Sequence, residues 1–254
     1  MEPYKSDLAY IHDTGFGDFA KNLAPELLNL LHKNGIDSGR VIDLGCGSGI
    51  WASELSRHGY SVLGIDISAA MIEIARKRVP NGEFRTESLL KAVLPRCVAV
   101  TSLGECFNYL FDETNSLNQL RQLFRRIHSA LQPGGLLIFD IAVPGRGKGP
   151  SQKHIEGNDW AVLVDVYEDN RTNRLTRKIT SYRKIGSLFR RDEEVHQLQL
   201  YKRTDVLKEL RGAGFRARTT DHYGSQKMID GCIAFVAIAE PKQGTSRKVH
   251  GGQS

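Results

Sequence analysis

Residues 41–49, Val-Ile-Asp-Leu-Gly-Cys-Gly-Ser-Gly, carry the groups that can hold a nucleotide-like ligand. Gly45, Gly47 and Gly49 let the backbone turn sharply with no Cβ in the way, and a helix starting just behind them aims its free N–H groups at the same place. Asp66 lies 17 residues past Gly49 and closes a second apolar run. A carboxylate at a strand tip can accept two hydrogen bonds from a ribose diol, and it repels a 2′-phosphate. The glycine spacing is not that of a dinucleotide fingerprint, because Ile50 stands where the third glycine belongs, and no Gly-Lys-Ser/Thr ending marks a phosphate loop. Further on, Glu105, Asn108 and Tyr109 stand at i, i+3 and i+4, and would share one face of a helix. They are the candidate substrate contacts, with Glu105 the candidate proton acceptor. A cap for Glu105 and core packing for Tyr109 compete evenly with those roles. Cys46 has no adjacent basic partner and reads as a small packing residue rather than a nucleophile.

The elements that must position these residues follow from apolar periodicity. Val41–Leu44 reads as a buried strand, and Ser48 as the N-cap of a helix with Ile50, Trp51 and Leu55 on its apolar face. Before it, Phe19, Leu23, Leu27, Leu28 and Leu31 recur at helical spacing, with Pro25 near a start or at a kink, and Asn34-Gly35 as the stop. Val62–Ile65 is the second strand, and Ser68 caps a helix carrying Met71, Ile72 and Ala75. Strands follow at 83–86, 97–101 and 136–141, with an amphipathic helix over 118–131 between the last two. Residues 144–158 read as a long loop, of a length that in a compact domain is often functional or mobile. Trp160–Tyr167, Leu175–Arg183 and Val195–Leu200 alternate as antiparallel strands. Thr204 caps a helix ending at Gly212, Gly214-Phe215 opens a sixth strand, and Cys232–Ala239 is a seventh. The pattern predicts an α/β, doubly wound, mostly parallel seven-stranded (Rossmann-like) sheet, with an antiparallel β insertion after strand five.

Asp-Leu-Gly-Cys-Gly-Ser-Gly followed by Leu-Gly-Ile-Asp-Ile-Ser resembles the first two cofactor motifs of the class I S-adenosylmethionine-dependent methyltransferases. The junction Ala-Leu-Gln-Pro-Gly-Gly-Leu-Leu-Ile-Phe-Asp is similar to that family's entry into strand five. The resemblance runs from about Val41 to Ile141. It implies S-adenosyl-L-methionine as cofactor, with the glycine loop against its methionine part and Asp66 on the ribose hydroxyls; Asp43, Gly45, Cys46, Gly47, Asp66, Ile67 and Met71 are the cofactor-binding residues expected from these motifs. Ser88 then stands where the family presents an acid to the adenine amine, with Glu87 one register step away; Leu89, Ser102 and Leu103 are further expected cofactor contacts. The acid that often opens strand four is replaced by Cys97. The N-terminal residues 1–16, with Tyr4, Tyr10, His12 and Phe16, read either as a frayed end or as a lid of the kind such enzymes fold over the cofactor, with Tyr10 its best contact.

The expected organisation is a single methyltransferase domain over 1–240, with 145–201 as the inserted subdomain and 241–254 as a disordered basic tail. At 254 residues and 40% hydrophobic the chain is long enough for one sizeable core. The start Met-Glu-Pro-Tyr-Lys-Ser-Asp has no apolar h-region and no stretch is long enough to span a membrane, which points to a soluble cytoplasmic protein. Four scattered cysteines and no spaced histidine pair speak against disulfides and a metal. Residues 1–150 carry 16 bases and 16 acids, so all of the net +6 sits in the second half. That asymmetry fits a solvated basic face or a nucleic-acid surface. The leading expectation is methyl transfer to a small-molecule acceptor by in-line displacement, which needs alignment more than a catalytic triad. An RNA or DNA methyltransferase and a non-catalytic methyltransferase-fold binding protein are the alternatives, and a nicotinamide oxidoreductase stands further back because of Ile50. The insertion is expected to roof the acceptor pocket, gated by residues 144–158. The competing expectation is that its strands pair with a second copy, so the protein is a monomer or a homodimer.

Overall fold

The computed structural model describes residues 3–149 and 151–241. Among the described residues, 3–16 are not frayed. They form α1 (Ser6–Gly15), followed by α2 (Asp18–Lys33), one continuous helix with Pro25 inside it. β1 (Gly39–Leu44) leads through the glycine turn to α3 (Ile50–Arg57), and β2 (Tyr60–Asp66) leads to α4 (Ala69–Arg78). β3 (Glu83–Thr86), β4 (Cys97–Ser102), α5 (Leu117–Ala130) and β5 (Leu131–Ala142) complete the parallel part. β6 (Ser151–Glu156), β7 (Trp160–Asp169), β8 (Arg174–Ile185) and β9 (Leu188–Gln199) form a separate antiparallel sheet in that order. The chain returns through α6 (Arg203–Gly212), β10 (Phe215–Thr220), the small hairpin β11 (His222–Tyr223) and β12 (Gln226–Lys227), and β13 (Cys232–Ala239).

The main sheet has the order β10-β13-β5-β4-β1-β2-β3, and β13 is antiparallel to both of its neighbours. Its strands are covered on both faces, which is why they read as nearly unbroken apolar runs. Val41, Val62, Ala99, Leu136 and Ile138 pack with Leu27, Trp51, Leu55 and Ile72 of α2, α3 and α4. The alternate residues Ile42, Leu63, Val100, Leu137 and Phe139 pack with Leu120, Phe124, Val206 and Leu210 of α5 and α6.

Several boundaries differ from the sequence expectation, among them the starts of β5 at Leu131 rather than Leu136 and of β9 at Leu188 rather than Val195. Ser48 does not cap α3: Gly49, in the left-handed region at φ 76°, precedes Ile50, and the Ser48 hydroxyl instead accepts from Arg78 Nη1 at 3.0 Å. Thr204 lies inside α6, which starts at Arg203 with no side-chain cap. Much of the loop expected over 144–158 is the edge strand β6, so a gate spanning that whole segment is not what the fold provides. All six β6 side chains are exposed, and no burial alternation could announce the strand. The tail expected after Pro241 lies outside the described residues. Among the described residues, no helix is long and apolar enough to cross a membrane.

Ser68 does cap α4, its hydroxyl oxygen accepting from the Met71 N–H at 3.2 Å while its own O–H donates to the Tyr4 carbonyl at 2.9 Å. Ser68→Ala therefore removes a helix cap and the tie to the N-terminal segment. Urea titration should show a loss of about 1–2 kcal/mol; a change within 0.3 kcal/mol, on the order of an ordinary surface substitution, would contradict this.

Candidate active site

A cavity of about 740 Å³ opens at the carboxyl edge of the main sheet, beneath the second sheet. Its floor is the glycine turn. Gly45, at φ 75°, lies so close to Cys106 that a Cβ would sit 2.4 Å from the Cys106 sulfur, whereas Gly47, at φ 51°, faces open space. Asp66 fixes this turn: its carboxylate accepts the N–H of Gly47 and of Ser68, each at 2.9 Å. Burial raises its pKa and those backbone N–H groups oppose the rise. Asp43, 3% exposed, accepts the Thr101 hydroxyl at 2.7 Å, and Thr101 in turn accepts Trp51 Nε1 at 3.1 Å. Burial pushes the Asp43 carboxyl up to about 7. Burial also raises the Cys46 thiol well above its ordinary range, as a packed, protonated sulfur requires.

Beside this floor Ile67, Met71, Ser88 and Leu89 line an apolar slot. The acid missing at position 88 itself arrives from another segment. Ser88 Oγ donates to Asp112 Oδ2 at 2.7 Å, and Asp112 also lines the cavity. Burial raises the Asp112 pKa, but hydrogen bonds from Thr114 and Ser88 outweigh it and bring the carboxyl down to about 2.

On the far side, Glu105, Asn108 and Tyr109 do not share a helical face. Glu105 is in the left-handed region at φ 63°, a 3-10 turn covers only Cys106–Asn108, and Tyr109 is extended. The N–H groups of Gly104 and Glu105 donate to the two oxygens of Asp140 (2.9 and 2.8 Å), whose carboxyl burial pushes up to about 7. The Glu105 carboxylate is clamped by Arg146 Nε at 2.5 Å, Arg177 Nη2 at 2.6 Å and Cys232 Sγ at 3.0 Å. Burial opposes its charge, yet Arg177 and Arg146 hold its pKa down to about 2. Arg146 is aimed there because Glu168 accepts the flanking N–H groups of Gly145 (2.7 Å) and Gly147 (2.6 Å). Arg177 Nη1 donates to the Tyr109 hydroxyl at 2.9 Å.

Of the residues expected at the site, Asp43, Gly45, Cys46, Gly47, Asp66, Ile67 and Met71 line this one cavity, as do Ser88, Leu89, Leu103, Glu105 and Tyr109. Three do not. Ser102 is buried with its hydroxyl on the Leu44 carbonyl, and Asn108 is spent on the backbone of Ala142 and Gln199. Tyr10 donates to Asp159 at 2.8 Å beneath the Arg183 guanidinium, 3.7 Å from its ring centre. The cavity-facing residues of the N-terminal segment are instead Tyr4, Leu8, His12 and Phe16, a repeat of four that the polar His12 obscured. The roof is the inner face of the second sheet, through Val162, Val164, Val166, Leu175, Arg177, Ile179 and His196. Arg177 and His196 were not foreseen, because an inward-facing charge or imidazole on a strand resembles an outward one in sequence.

A glycine turn after the first strand, a carboxylate after the second and an apolar slot beside them define a nucleoside-binding α/β fold. The chain belongs to the methyltransferase-domain family, whose model matches residues 16–220; with this sheet it is a class I S-adenosylmethionine-dependent member. It is similar to a ubiquinone biosynthesis O-methyltransferase of Acinetobacter baylyi, 41% identical over 116 residues, 42% of this chain and 45% of that one. It is also similar to the glycine N-methyltransferase of Rattus norvegicus, 31% identical over 128 residues, 45% and 43% of the two chains. Such matches span less than half of the curated relatives' lengths. In structure it is similar to an S-adenosylmethionine-dependent methyltransferase from Clostridium acetobutylicum, with a TM-score of 0.79 at 17% identity over 92% of this chain and 98% of that one.

Proposed function

We propose that this protein transfers the methyl group of S-adenosylmethionine to a small-molecule acceptor. The observation that carries the reading is the single cavity running from Asp66 and Gly47 to Arg177 and the inner face of the second sheet. Its residues suit the cofactor: the open face at Gly47 leaves room for the methionine part, and Asp66 keeps lone pairs for a ribose diol. The slot beside Ile67, Met71 and Leu89 suits an adenine, with Asp112 beside Ser88 to accept its amine. When bound, the cofactor supplies a methyl group made electrophilic by its sulfonium. The protein's part is to align the acceptor with that methyl and to keep water out, which the roof and the wall of Tyr4, Leu8, His12 and Phe16 can do.

Two features favour a small acceptor over RNA or DNA. A roofed cavity suits a molecule that fits inside it, and four arginines of the second half are engaged in ion pairs: Arg177 with Glu105, Arg183 and Arg190 with Asp7, Arg191 with Glu193. Retention of Asp43, Gly45, Gly47 and Asp66 favours a working cofactor site over an inert fold relative.

Calorimetry should detect binding of S-adenosylmethionine and S-adenosylhomocysteine, and none of NAD; the reverse would refute the reading. Asp66→Ala should weaken S-adenosylmethionine binding by roughly ten- to a hundredfold, on the order of 1.5–3 kcal/mol. It should also lower stability, since the Gly47 and Ser68 N–H groups lose their acceptor. An unchanged affinity would remove Asp66 from the ribose.

A further inference from the structure

Glu194 and His196 stand two apart on the inner face of β9, 4% and 1% exposed. Inward positions of a half-covered strand ordinarily take apolar side chains, as Leu198 does next along. The pair is organised. The Glu194 carboxylate accepts the N–H groups of Tyr4 (2.8 Å) and Lys5 (2.9 Å), and lies 2.8 Å from His196 Nε2. A carboxylate can only accept, so Nε2 carries a proton, and in the neutral ring the lone pair is on Nδ1. Nδ1 has no hydrogen-bond partner although it is buried, and His196 lines the acceptor side of the cavity. A carboxylate that orients an imidazole whose other nitrogen is left as a free acceptor is the arrangement of a general base.

We propose that His196 is the general base of methyl transfer and that the acceptor is an aromatic hydroxyl, with Glu194 as the positioning residue. This rests on the methyl-transfer reading above. As the acceptor O–H bond breaks, its proton goes to Nδ1. The oxygen lone pair forms the O–CH3 bond while the C–S bond breaks, leaving its electron pair on sulfur. The products are a methyl ether, the thioether and an imidazolium paired with Glu194, which returns its proton to water after release.

The surroundings select this acceptor. Arg177, hydrogen-bonded to Glu105 and to the Tyr109 hydroxyl, is the register partner of His196 across β8 and β9, so a guanidinium stands beside the imidazole. A cation at that position favours an acceptor hydroxyl that develops negative charge as its proton leaves. The rings of Phe111 and Tyr109 lie 4.9 and 5.9 Å from the imidazole, centre to centre, and give an aromatic acceptor faces and edges to pack on. Tyr4, a non-glycine residue at φ 48°, is the piece whose displacement brings an acceptor within reach of Nδ1.

The titratable and charged groups facing His196 are Glu194 on its own strand, Arg177 on β8, Tyr4 and His12 from the N-terminal segment, and Tyr109. Burial raises both phenols and pushes His12 down to about 4, so these are weak bases or firmly protonated. The Glu194 oxygens are already occupied.

The test uses the full chain with S-adenosylhomocysteine bound. Nitrogen NMR of the wild type should find His196 protonated on Nε2 and bare on Nδ1. 4-Nitrophenol, whose absorbance reports its ionisation, should bind and show a larger phenolate fraction than it does free in the same buffer. In His196→Gln it should bind with at least tenfold less phenolate, and in Glu194→Gln the yield should fall between. A proton on Nδ1, equal ionisation in His196→Gln, or exclusion of the probe overturns the assignment. Failure of the wild type to bind either S-adenosyl compound overturns the methyl-transfer reading itself; intact binding with equal ionisation overturns only the base.

Discussion

Glu105→Ala is expected to lower the unfolding free energy by about 3–5 kcal/mol, the cost typical of breaking a buried ion pair from one side. The Glu105 side chain is 8% exposed, and its partners Arg146 and Arg177 are 18% and 16% exposed. Alanine leaves two guanidiniums facing each other in a cavity wall with no counter-charge. Glu105→Gln keeps the shape and should cost less, because one acceptor oxygen remains. Replacing Glu105, Arg146 and Arg177 together by apolar residues should cost less than Glu105→Ala, since no buried charge is then stranded. Urea titration of the set decides it, and a Glu105→Ala loss under 1 kcal/mol, about the median of an exposed pair, would mean the cluster is solvated in solution. The same geometry removes Glu105 from the role of proton acceptor. Its carboxyl, near 4.5 in an unfolded chain, is held down to about 2. Its stabilising contribution is therefore complete above pH 4.5 and is lost only as the pH falls toward 2. A group ionised that firmly is an anchor at neutral pH.

The part of the site legible in sequence is the part built from one short stretch at a time. Val41–Gly49 and Asp66 announce themselves because a buried strand, a turn needing positive φ and a strand-tip acid each restrict residue type locally. What could not be read was assembled across the chain. Asp112 reaches Ser88 over 24 residues, and Arg177 reaches Glu105 over 72. Neither separation has a period. Within β9 the inward set is Glu194, His196 and Leu198 while Val195 is 45% exposed. Hydrophobicity alone therefore points the strand the wrong way and hides its start at Leu188. α1 was obscured for a related reason. Its cavity face mixes Leu8 with His12, and its Asp7 is spent on Arg183 and Arg190 of the second sheet, so its register is set by tertiary contacts. The insertion itself was legible as antiparallel strands, but that its inner face is polar at Arg177 and His196 follows only from what it covers.

Without cofactor, the protein should lose stability as the pH rises from about 4 to about 7, and Asp43 should account for much of the slope. Its carboxyl is near 3.8 in an unfolded chain and is pushed by burial to about 7 in the folded one, the Thr101 hydroxyl opposing and nearby Asp66 adding to the rise. Between those values the folded chain holds a proton that the unfolded chain has released, so unfolding becomes easier with every increment of pH. The contribution is complete below 3.8 and gone above 7. A difference of roughly three pKa units corresponds to about 4 kcal/mol, near 1.4 kcal/mol per pH unit. Asp140, also pushed to about 7, adds to the slope in the same direction. Urea midpoints at pH 5, 6, 7 and 8 measure it, and Asp43→Asn, which stays neutral throughout, should flatten the curve. An unaltered slope in that variant would mean Asp43 is ionised in the folded protein at every pH tested. The linkage extends to function. A ligand carrying a positive sulfonium favours the ionised form of a carboxyl in the same cavity, so S-adenosylmethionine should bind with proton release near pH 7 and more tightly at pH 8 than at pH 6. S-adenosylhomocysteine, which lacks that charge, should show the smaller pH dependence, read as heats of binding in buffers of different ionisation enthalpy.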